Sequence, residues 1–558
     1  MSALETDQSP KPAGIADAAD TLTGVGGNGG GALETGLRVW VLRHRALAVR
    51  LAWPAGFVAA GVVLFLCYLR LSRTQPVVSD AASNALQAWD MLHGNLLLHG
   101  WTVSDVSFYT TELPEYMAVE FVRGLSADVV HVSAAITYTL LVLLAALLAK
   151  GKATGRQAVV RMLIAGGIML APQLGNGAFI LLLAPDHVGT QVPLLVIWLL
   201  IDRAGRQWWV PVVTGVLLAV VQVADRMAVT VGVAPLLVVC GVRAYRGLVQ
   251  RREPLVSRWY ELSLAAAAAV SVGAASLASK LITSHGGYTV LPLKATFASV
   301  PSMPAHFWLT VEGVLGLFGA DFFGQRLGVN TAIALLHLAG LAMAVWAMCI
   351  VVRRFVRCDD LVVQVLTVAI VLDLASYMFS VLPGTYWGTR QIAAVLPSGA
   401  VLAGRLLAGR LIEARLVPAM SAVLLCYVIA LGHGGARPAV PASGQDLAGW
   451  LAAHHLRSGL ADYGQANDTT LDSGGRIQVR EPSWPGGHAA PGSYESDASW
   501  YDPRLHSANF VVTAPGPDSQ RPFIYHDALI SFGRPAHIYR FRNYTIMTWH
   551  KNLLADLR

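Results

Sequence analysis

The sequence predicts a polytopic α-helical membrane protein with about eleven spans and a small α/β domain at its C-terminal end. Three observations carry that reading. Of 558 residues, 54% are hydrophobic and only 13% charged, and the mean hydropathy is +0.52; soluble chains carry about 25% charged residues. The apolar residues recur in runs of bilayer length. The Lys and Arg residues gather in alternate short connections between those runs, the bias that sets orientation in a membrane.

Residues 1–37 come first, rich in Gly, Ala and Asp, with the run TGVGGNGGG. Such a composition cannot bury a core, so a disordered cytoplasmic tail is expected. The Gly run lacks the Lys-Ser/Thr ending and the preceding strand of a phosphate loop, and reads as a linker. The first apolar run starts near Leu51, too late for a cleavable signal peptide, and serves as an uncleaved first span.

Within residues 38–433 the apolar segments are Leu51–Leu69, Val129–Leu148, Ala158–Leu183, Gln191–Ile201, Trp208–Val223, Met227–Val242, Tyr260–Ile282, Thr331–Val352, Leu361–Val381, Gln391–Ala408 and Leu416–Leu431. Several fall short of the ~20 residues a span needs, so their ends must extend into the flanks. Gln191–Ile201 is the weakest of them.

Basic residues test the parse. Arg43, Arg45 and Arg50 precede the first span and put the N-terminus inside. Lys150, Lys152, Arg156 and Arg161 mark the next inside connection, followed by Arg203 and Arg206, then Arg243, Arg246, Arg251 and Arg252. Arg353, Arg354 and Arg357, then Arg405, Arg410 and Arg415, mark the remainder. This alternation implies an odd number of spans and an extracytoplasmic C-terminus.

Three regions on the outer side are then large. The first, 70–128, is acidic. The second, 283–330, contains the apolar stretch Phe307–Phe323, expected to be re-entrant or interfacial. The third opens with a Gly/Pro/Ala linker at 434–446 and continues at 447–558 as an extracytoplasmic domain of roughly 110 residues, an ordinary size. There DLAGWLAAHHL reads as a helix, and RIQVRE, NFVVTA, PFIYH and HIYRFRNYTIMTW read as strands.

Composition also excludes some classes. The net charge of +7 does not point to nucleic acid, because the basic residues form no stripe with interleaved aromatics. The five cysteines lie in or beside apolar segments without a CxxC pair, which gives neither a zinc site nor a disulfide framework.

Ionisable residues at the membrane boundary are the candidates for chemistry. SDAASNALQAWDMLHGN, after the first span, predicts a helix along the membrane surface, capped by Ser79 or Asp80, with Ala82, Ala85, Leu86, Trp89 and Leu92 on one face. Asp80 then points at a lipid head group, or is merely the cap. Asp105, Glu112 and Glu115 read from the residues alone as solvated loop acids. Asp186 and His187 form the tip of a membrane hairpin and either contact phosphate or orient a base, or cap a helix end; two such residues are too few for a metal site. Asp225 and Arg226 can simply pair with each other. Lys294, Asp321, Arg326 and Arg390 stand at membrane depth, and Arg390 and Gln391 follow Tyr386 and Trp387, aromatics suited to the interfacial belt.

This layout resembles the GT-C superfamily of integral-membrane glycosyltransferases. The resemblance lies in a first span followed by a large outer loop with an early Asp, an amphipathic surface helix, a later outward-facing Arg before an apolar span, and an extracytoplasmic C-terminal domain. It implies a polyprenyl-phosphate-linked sugar donor and an extracytoplasmic glycan, lipid or protein acceptor in the cell envelope. It implies Asp80 as general base, Glu112 as a second catalytic acid, and Asp186, His187, Lys294, Tyr386, Arg390 and Gln391 as substrate-binding residues, with Arg390 or Lys294 facing the donor phosphate. No organic cofactor is implied. Ser79-Asp80-Ala81 departs from the DxD-type pair of some relatives, so a divalent cation is compatible with the site without being required. The rival readings are a transporter or flippase of lipid-linked or envelope molecules, which would favour internal repeats, discontinuous helices and mid-span charges, and a non-catalytic envelope scaffold.

Overall fold

The computed structural model describes residues 53–174, 176–292, 296–513 and 525–558. The expected tail at 1–37, Lys294, and the first residues of PFIYH lie outside them. The chain divides by compactness into Met1–Val62 and Val63–Arg558. The described part of the first unit is the opening of helix α1 (Trp53–Ser72). All that follows belongs to the second.

In chain order, α1 is followed by α2 (Ser79–Leu92), strand β1 (Trp101–Val103) and α3 (Glu112–Arg123). Then come α4 (Ala127–Lys150), α5 (Gly155–Met169), α6 (Asn176–Leu182), α7 (Gln191–Ala204), α8 (Trp209–Ala224), α9 (Val229–Gln250) and α10 (Leu255–Ser284). Strand β2 (Thr289–Val290) leads to α11 (Met303–Leu317), α12 (Val329–Arg357), α13 (Leu361–Phe379), α14 (Val395–Glu413) and α15 (Val417–Gly435). Among the described residues, eight of these helices are long and apolar enough to cross a bilayer: α1, α4, α9, α10, α12, α13, α14 and α15. The chain is a multi-pass helical membrane protein. The other expected segments are helical too, but shorter, with α7 at 14 residues and α8 at 16.

One expected span is broken. Ala158–Leu183 is not one helix but α5 and α6, separated around Pro172, which has no N–H to continue the ladder. Carbonyls left open at the end of α5 are taken by tyrosines: Tyr138 Oη donates to Met169 O and Tyr68 Oη to Leu170 O, each at 2.8 Å. Phe307–Phe323, expected as a re-entrant or interfacial stretch, supplies most of α11.

Helix directions alternate. The last turns of α4, α7 and α9 therefore meet the first turns of α5, α10 and α13 at one end of the bundle. The last residues of α8 and the first turns of α7 and α14 lie toward the other end, where α2 and α3 also sit.

Helix α2 departs from its expected place. Its N-cap is Val78, without a side-chain cap, and neither Ser79 nor Asp80 plays that role. Nor does it rest on a surface, because Ala81, Ala82, Ala85 and Ala88 are buried and so are Ser83, Asn84 and Gln87. Small side chains let α3, α4 and the C-terminal domain close around it.

That domain begins with α16 (Gln445–Ala453), β3 (Ser458–Ala461), α17 (Tyr463–Asp472), β4 (Gln478–Arg480) and β5 (Ser496–Asp497). It ends with β6 (Phe510–Thr513), α18 (Tyr525–Phe532), β7 (His537–Phe541) and β8 (Tyr544–Thr548). Five strands form a sheet in the order β4-β3-β6-β8-β7, with β3 parallel to both neighbours and the rest antiparallel. RIQVRE, NFVVTA and the final hairpin are strands as expected. The described residues of PFIYH instead open α18, whose Ala528 and Phe532, four apart, bury one helical face beside Trp549.

A second sheet, β2-β1-β5, joins the first outer loop to the second and to the C-terminal domain. Thr102 pairs with Thr289 on one side and Ser496 on the other. The joint is tight: Gly100 has φ +85°, and a Cβ there would stand 2.6 Å from Asp497 Oδ1.

Close packing also governs the bundle. At Gly404 of α14 a Cβ would meet Arg161 O at 2.6 Å and Ala149 Cβ at 3.0 Å. Backbone cannot swing aside, so Gly404→Ala should cost about 1–3 kcal/mol and lower the thermal-aggregation midpoint of the detergent-purified protein. An unchanged midpoint would show that α4, α5 and α14 can separate freely.

Candidate functional site

Four separate stretches of chain converge at the α2 end of the bundle. Helix α2 brings Asp80 and Asn84. The connection between α6 and α7 brings Asp186, His187 and Thr190. A 3₁₀ turn, Tyr386–Ile392, brings Arg390, and the C-terminal domain brings Tyr463 and Glu495.

Arg390 is the hub. Its Nη2 lies 3.3 Å from Asp80 Oδ2 and its Nη1 lies 3.6 Å from Asp186 Oδ2. The guanidinium rests over the Trp387 ring at 4.0 Å, a contact that favours a cation. Nε and Nη1 are nevertheless buried without hydrogen-bond partners. Nε is therefore free for an anion, while Nη1 keeps only the long ion pair to Asp186. Asp186 is fixed by Asn84 Nδ2, which donates to Oδ1 at 3.0 Å, and its Oδ2 has no hydrogen bond. Burial raises the Asp186 carboxyl above its ordinary value while Arg390 pulls it down. Asp80 is the accessible member, with 29% of its side-chain surface exposed against 6% for Arg390 and 3% for Asp186.

The far side of Asp80 meets the C-terminal domain. Tyr463 Oη donates to Asp80 Oδ1 at 3.0 Å and also contacts Glu495 Oε2. A single hydroxyl proton cannot serve two ionised carboxylates. Burial raises the Glu495 carboxyl well above the usual range, and the Asp80 charge adds to it. A protonated Glu495 then donates to Tyr463, and Tyr463 donates to Asp80. The result is a directed chain of hydrogen bonds ending on the exposed carboxylate.

Glu112 lies in a neighbouring cluster. Thr111 Oγ1 donates to its Oε2, and Thr190 Oγ1 lies 3.2 Å from Oε1 and 3.0 Å from Asp225 Oδ2. His187 Nδ1 is 3.0 Å from the same Asp225 oxygen. Asp225 thus pairs with His187 and Thr190, whereas Arg226 is exposed. Burial raises the Glu112 carboxyl, with help from Asp225 and Asp186. Gly189 is required here, since a Cβ would stand 2.7 Å from Glu112 Oε1. Among the described residues no hydrogen bond or ion pair links Glu112 to Asp80 directly.

Tyr386 and Gln391 stand on the Arg390 turn. Tyr386 packs beside Phe179, with Trp387 edge-on to the same ring, and its Oη is buried without a partner, as is Gln391 Oε1. A Cβ on Gly316 of α11 would lie 2.1 Å from that Oη. Glycine is what lets the turn approach α11.

A bound divalent cation finds no ready cage. Among the described residues no three His, Cys, Asp or Glu side chains gather as ligands, and the inner oxygens of Asp80 and Asp186 face a guanidinium. This arrangement does not fit a metal.

No family model and no curated relative matches the chain. Its structure is similar to the oligosaccharyltransferase of Archaeoglobus fulgidus in the apo form, at 12% identity and a TM-score of 0.46 over 82% of this chain and 69% of that one. The zinc and sulfate complex of that protein gives 13% identity and 0.46 over 81% and 67%. Apo ArnT from Cupriavidus metallidurans gives 14% identity and a TM-score of 0.42 over 91% and 99%. No residue role is taken from these likenesses.

The C-terminal domain is fastened to α2 by another buried acid. Asp468 Oδ2 accepts from Ser443 Oγ at 2.7 Å, and Oδ1 lies 3.4 Å from Ser79 Oγ. Burial pushes the Asp468 carboxyl up from 3.8 to about 7. The folded chain thus holds a proton that the unfolded chain releases, and stability must fall as pH rises from about 4 to about 7. Asp468→Asn should flatten that decline in melts taken across this range. A slope identical to wild type would assign the pH dependence to other groups.

Proposed function

We propose that the protein is a membrane glycosyltransferase of the GT-C type, moving a sugar from a polyprenyl-phosphate donor to an extracytoplasmic acceptor with inversion. The observation that carries this reading is the pairing of an accessible carboxylate, Asp80, with a buried arginine whose Nε has no hydrogen-bond partner.

In this reading, the donor phosphate takes the free Nε of Arg390 and competes with Asp80 for Nη2, the donor on the same edge of the guanidinium. Asp80, released from its counter-ion, accepts the proton of an acceptor hydroxyl as that oxygen attacks the anomeric carbon. The bond from that carbon to the phosphate oxygen breaks on the opposite face, and the lipid phosphate leaves with its charge held by Arg390. Tyr463 and Glu495 position Asp80 without touching substrate. Asp186 holds Arg390 in place, and Trp387 and Tyr386 line the approach of the lipid. The N-terminus is then cytoplasmic and the C-terminal domain extracytoplasmic, as the basic residues require.

The test uses purified protein in lipid with a panel of radiolabelled polyprenyl-phosphate sugars and envelope acceptors. Asp80→Asn should lower transfer by about 10²–10⁴-fold. Arg390→Lys should also lose activity, because an ammonium cannot present the same planar pair of donors. Full activity in Asp80→Asn, or no transfer by wild type with any donor, would overturn the reading.

The relay makes a separate prediction. Tyr463→Phe removes one hydrogen bond to a charged group, worth roughly 1.5–3 kcal/mol. It should lower kcat about ten- to a hundredfold with little change in KM. A purely structural role would instead lower the yield of folded protein and leave kcat per folded molecule unchanged.

A further inference from the structure

The opposite end of the bundle holds a polar cavity of roughly 510 Å³ that the reaction at Asp80 does not use. It opens where the ends of α4, α5, α7, α9, α10 and α13 come together around α14. Lys152, Arg161, Arg206, Arg243 and Arg405 line it, with the carboxylates Asp202, Glu261, Asp359 and Asp360. A helix of 24 residues such as α4 is about 36 Å long, so this cavity and the Asp80 site stand at opposite ends of the span.

The charges in it are not equivalent. Arg405 is committed, with Nη2 2.9 Å from Asp202 and Nη1 2.7 Å from Asp360, while Nε and Nη2 both donate to Leu148 O. Arg206 binds Glu261 at 2.7 Å, and Arg258 stands 3.6 Å from the same carboxylate. Three of the four carboxylates are therefore taken by guanidinium groups that fix the walls.

Lys152, Arg161 and Arg243 remain. Lys152 is exposed and has no ion pair among the described residues. Arg161 makes one long bond, Nη1 to Lys150 O at 3.4 Å, and its Nε is buried without a partner. Arg243 donates to Gln364 Oε1 and Asp359 O, yet its Nε is buried without a hydrogen bond and stands 3.9 Å from Glu261. Two guanidinium groups, each with a buried N–H that lacks a hydrogen bond, and one exposed ammonium thus line a cavity at one end of the bundle. A buried donor on a charged group is costly to leave unmade. The fourth carboxylate, Asp359, is exposed to solvent.

We propose that this cavity binds a phosphate group through Lys152, Arg161 and Arg243, the chemistry shared by an anionic phospholipid head group and a free phosphate ester. Basic pockets between membrane helices are suited to that ligand, because low dielectric walls strengthen each contact and the lipid is already concentrated in the plane. Arg405 and Arg206 act as wall fasteners in this site and not as ligands. The inference is independent of the reaction proposed at Asp80.

The full-length protein, purified in a neutral detergent, is titrated with phosphatidylglycerol, with phosphatidylcholine and with inorganic phosphate, and binding is read by native mass spectrometry and by thermal stability. Retention of phosphatidylglycerol over phosphatidylcholine supports the proposal with a lipid as the source. Protection by inorganic phosphate alone supports it with a soluble source. Removing one cation should weaken binding roughly fivefold, the value of one basic residue near a charged lipid surface. Arg161→Gln tests the buried donor, and Lys152→Gln, at an exposed position, tests the site where the first variant fails to fold. Arg353→Gln, an exposed residue on α12 outside the cavity, should bind as wild type does. Equal loss in Arg353→Gln would mean unspecific charge attraction and overturn the site. So would the absence of any preference for phosphate-bearing anions, or unchanged binding in Lys152→Gln and Arg161→Gln.

Discussion

A guanidinium buried among carboxylates sets the terms on which the distant parts of this chain meet. Asp80, on α2, and Asp186, in the connection between α6 and α7, would repel each other in a space that excludes most water. Arg390 between them turns that repulsion into attraction. Its own position depends on a short turn seated against α11, where Gly313 and Gly316 leave room for Thr389 and Tyr386. The hub therefore rests on glycines in one helix, a ring beneath the cation, and an asparagine holding the second acid.

Protons are distributed around this hub in a consistent way. Glu495 and Glu112, neither of which pairs with Arg390 among the described residues, are driven by burial toward the neutral form. Each sits across a hydroxyl from an acid that has other partners: Tyr463 stands between Glu495 and Asp80, and Thr190 between Glu112 and Asp225. The same device thus occurs twice. A protonated acid supplies a donor to a hydroxyl, and the hydroxyl points its own proton at a carboxylate.

Much of this was legible in the sequence, and the parts that were not have physical reasons. Hydropathy located every long helix because backbone groups in a bilayer must be satisfied within the segment. It failed at Ala158–Leu183, where tyrosines from other helices accept the cost of a break that composition alone cannot reveal. The surface position expected for α2 failed because its alanines are apolar enough to suggest a stripe, yet small enough to be enclosed on several sides. Asp80, Asp186 and Arg390 stood out as charges at membrane boundaries, and they do meet. Tyr463 and Glu495 carried no such mark. Tyr463 follows a strand, Ser-Gly-Leu-Ala, that lacks β-branched residues and gives no periodic signal, and Glu495 lies in a loop rich in Gly, Ser and Pro. Their roles come from tertiary contacts, made in the case of Tyr463 more than 380 residues after Asp80.

The pairing of β1 with β2 and β5 has a consequence for how the molecule is made. A ribosome delivers Asp80 early and Ser496 very late, so the strand that seals the first loop is missing for most of synthesis. Until only the last sixth or so of the chain remains to be made, the carboxylate on α2 lacks the hydroxyl of Tyr463. The sheet β2-β1-β5 is therefore completed only after every helix of the bundle has been synthesised.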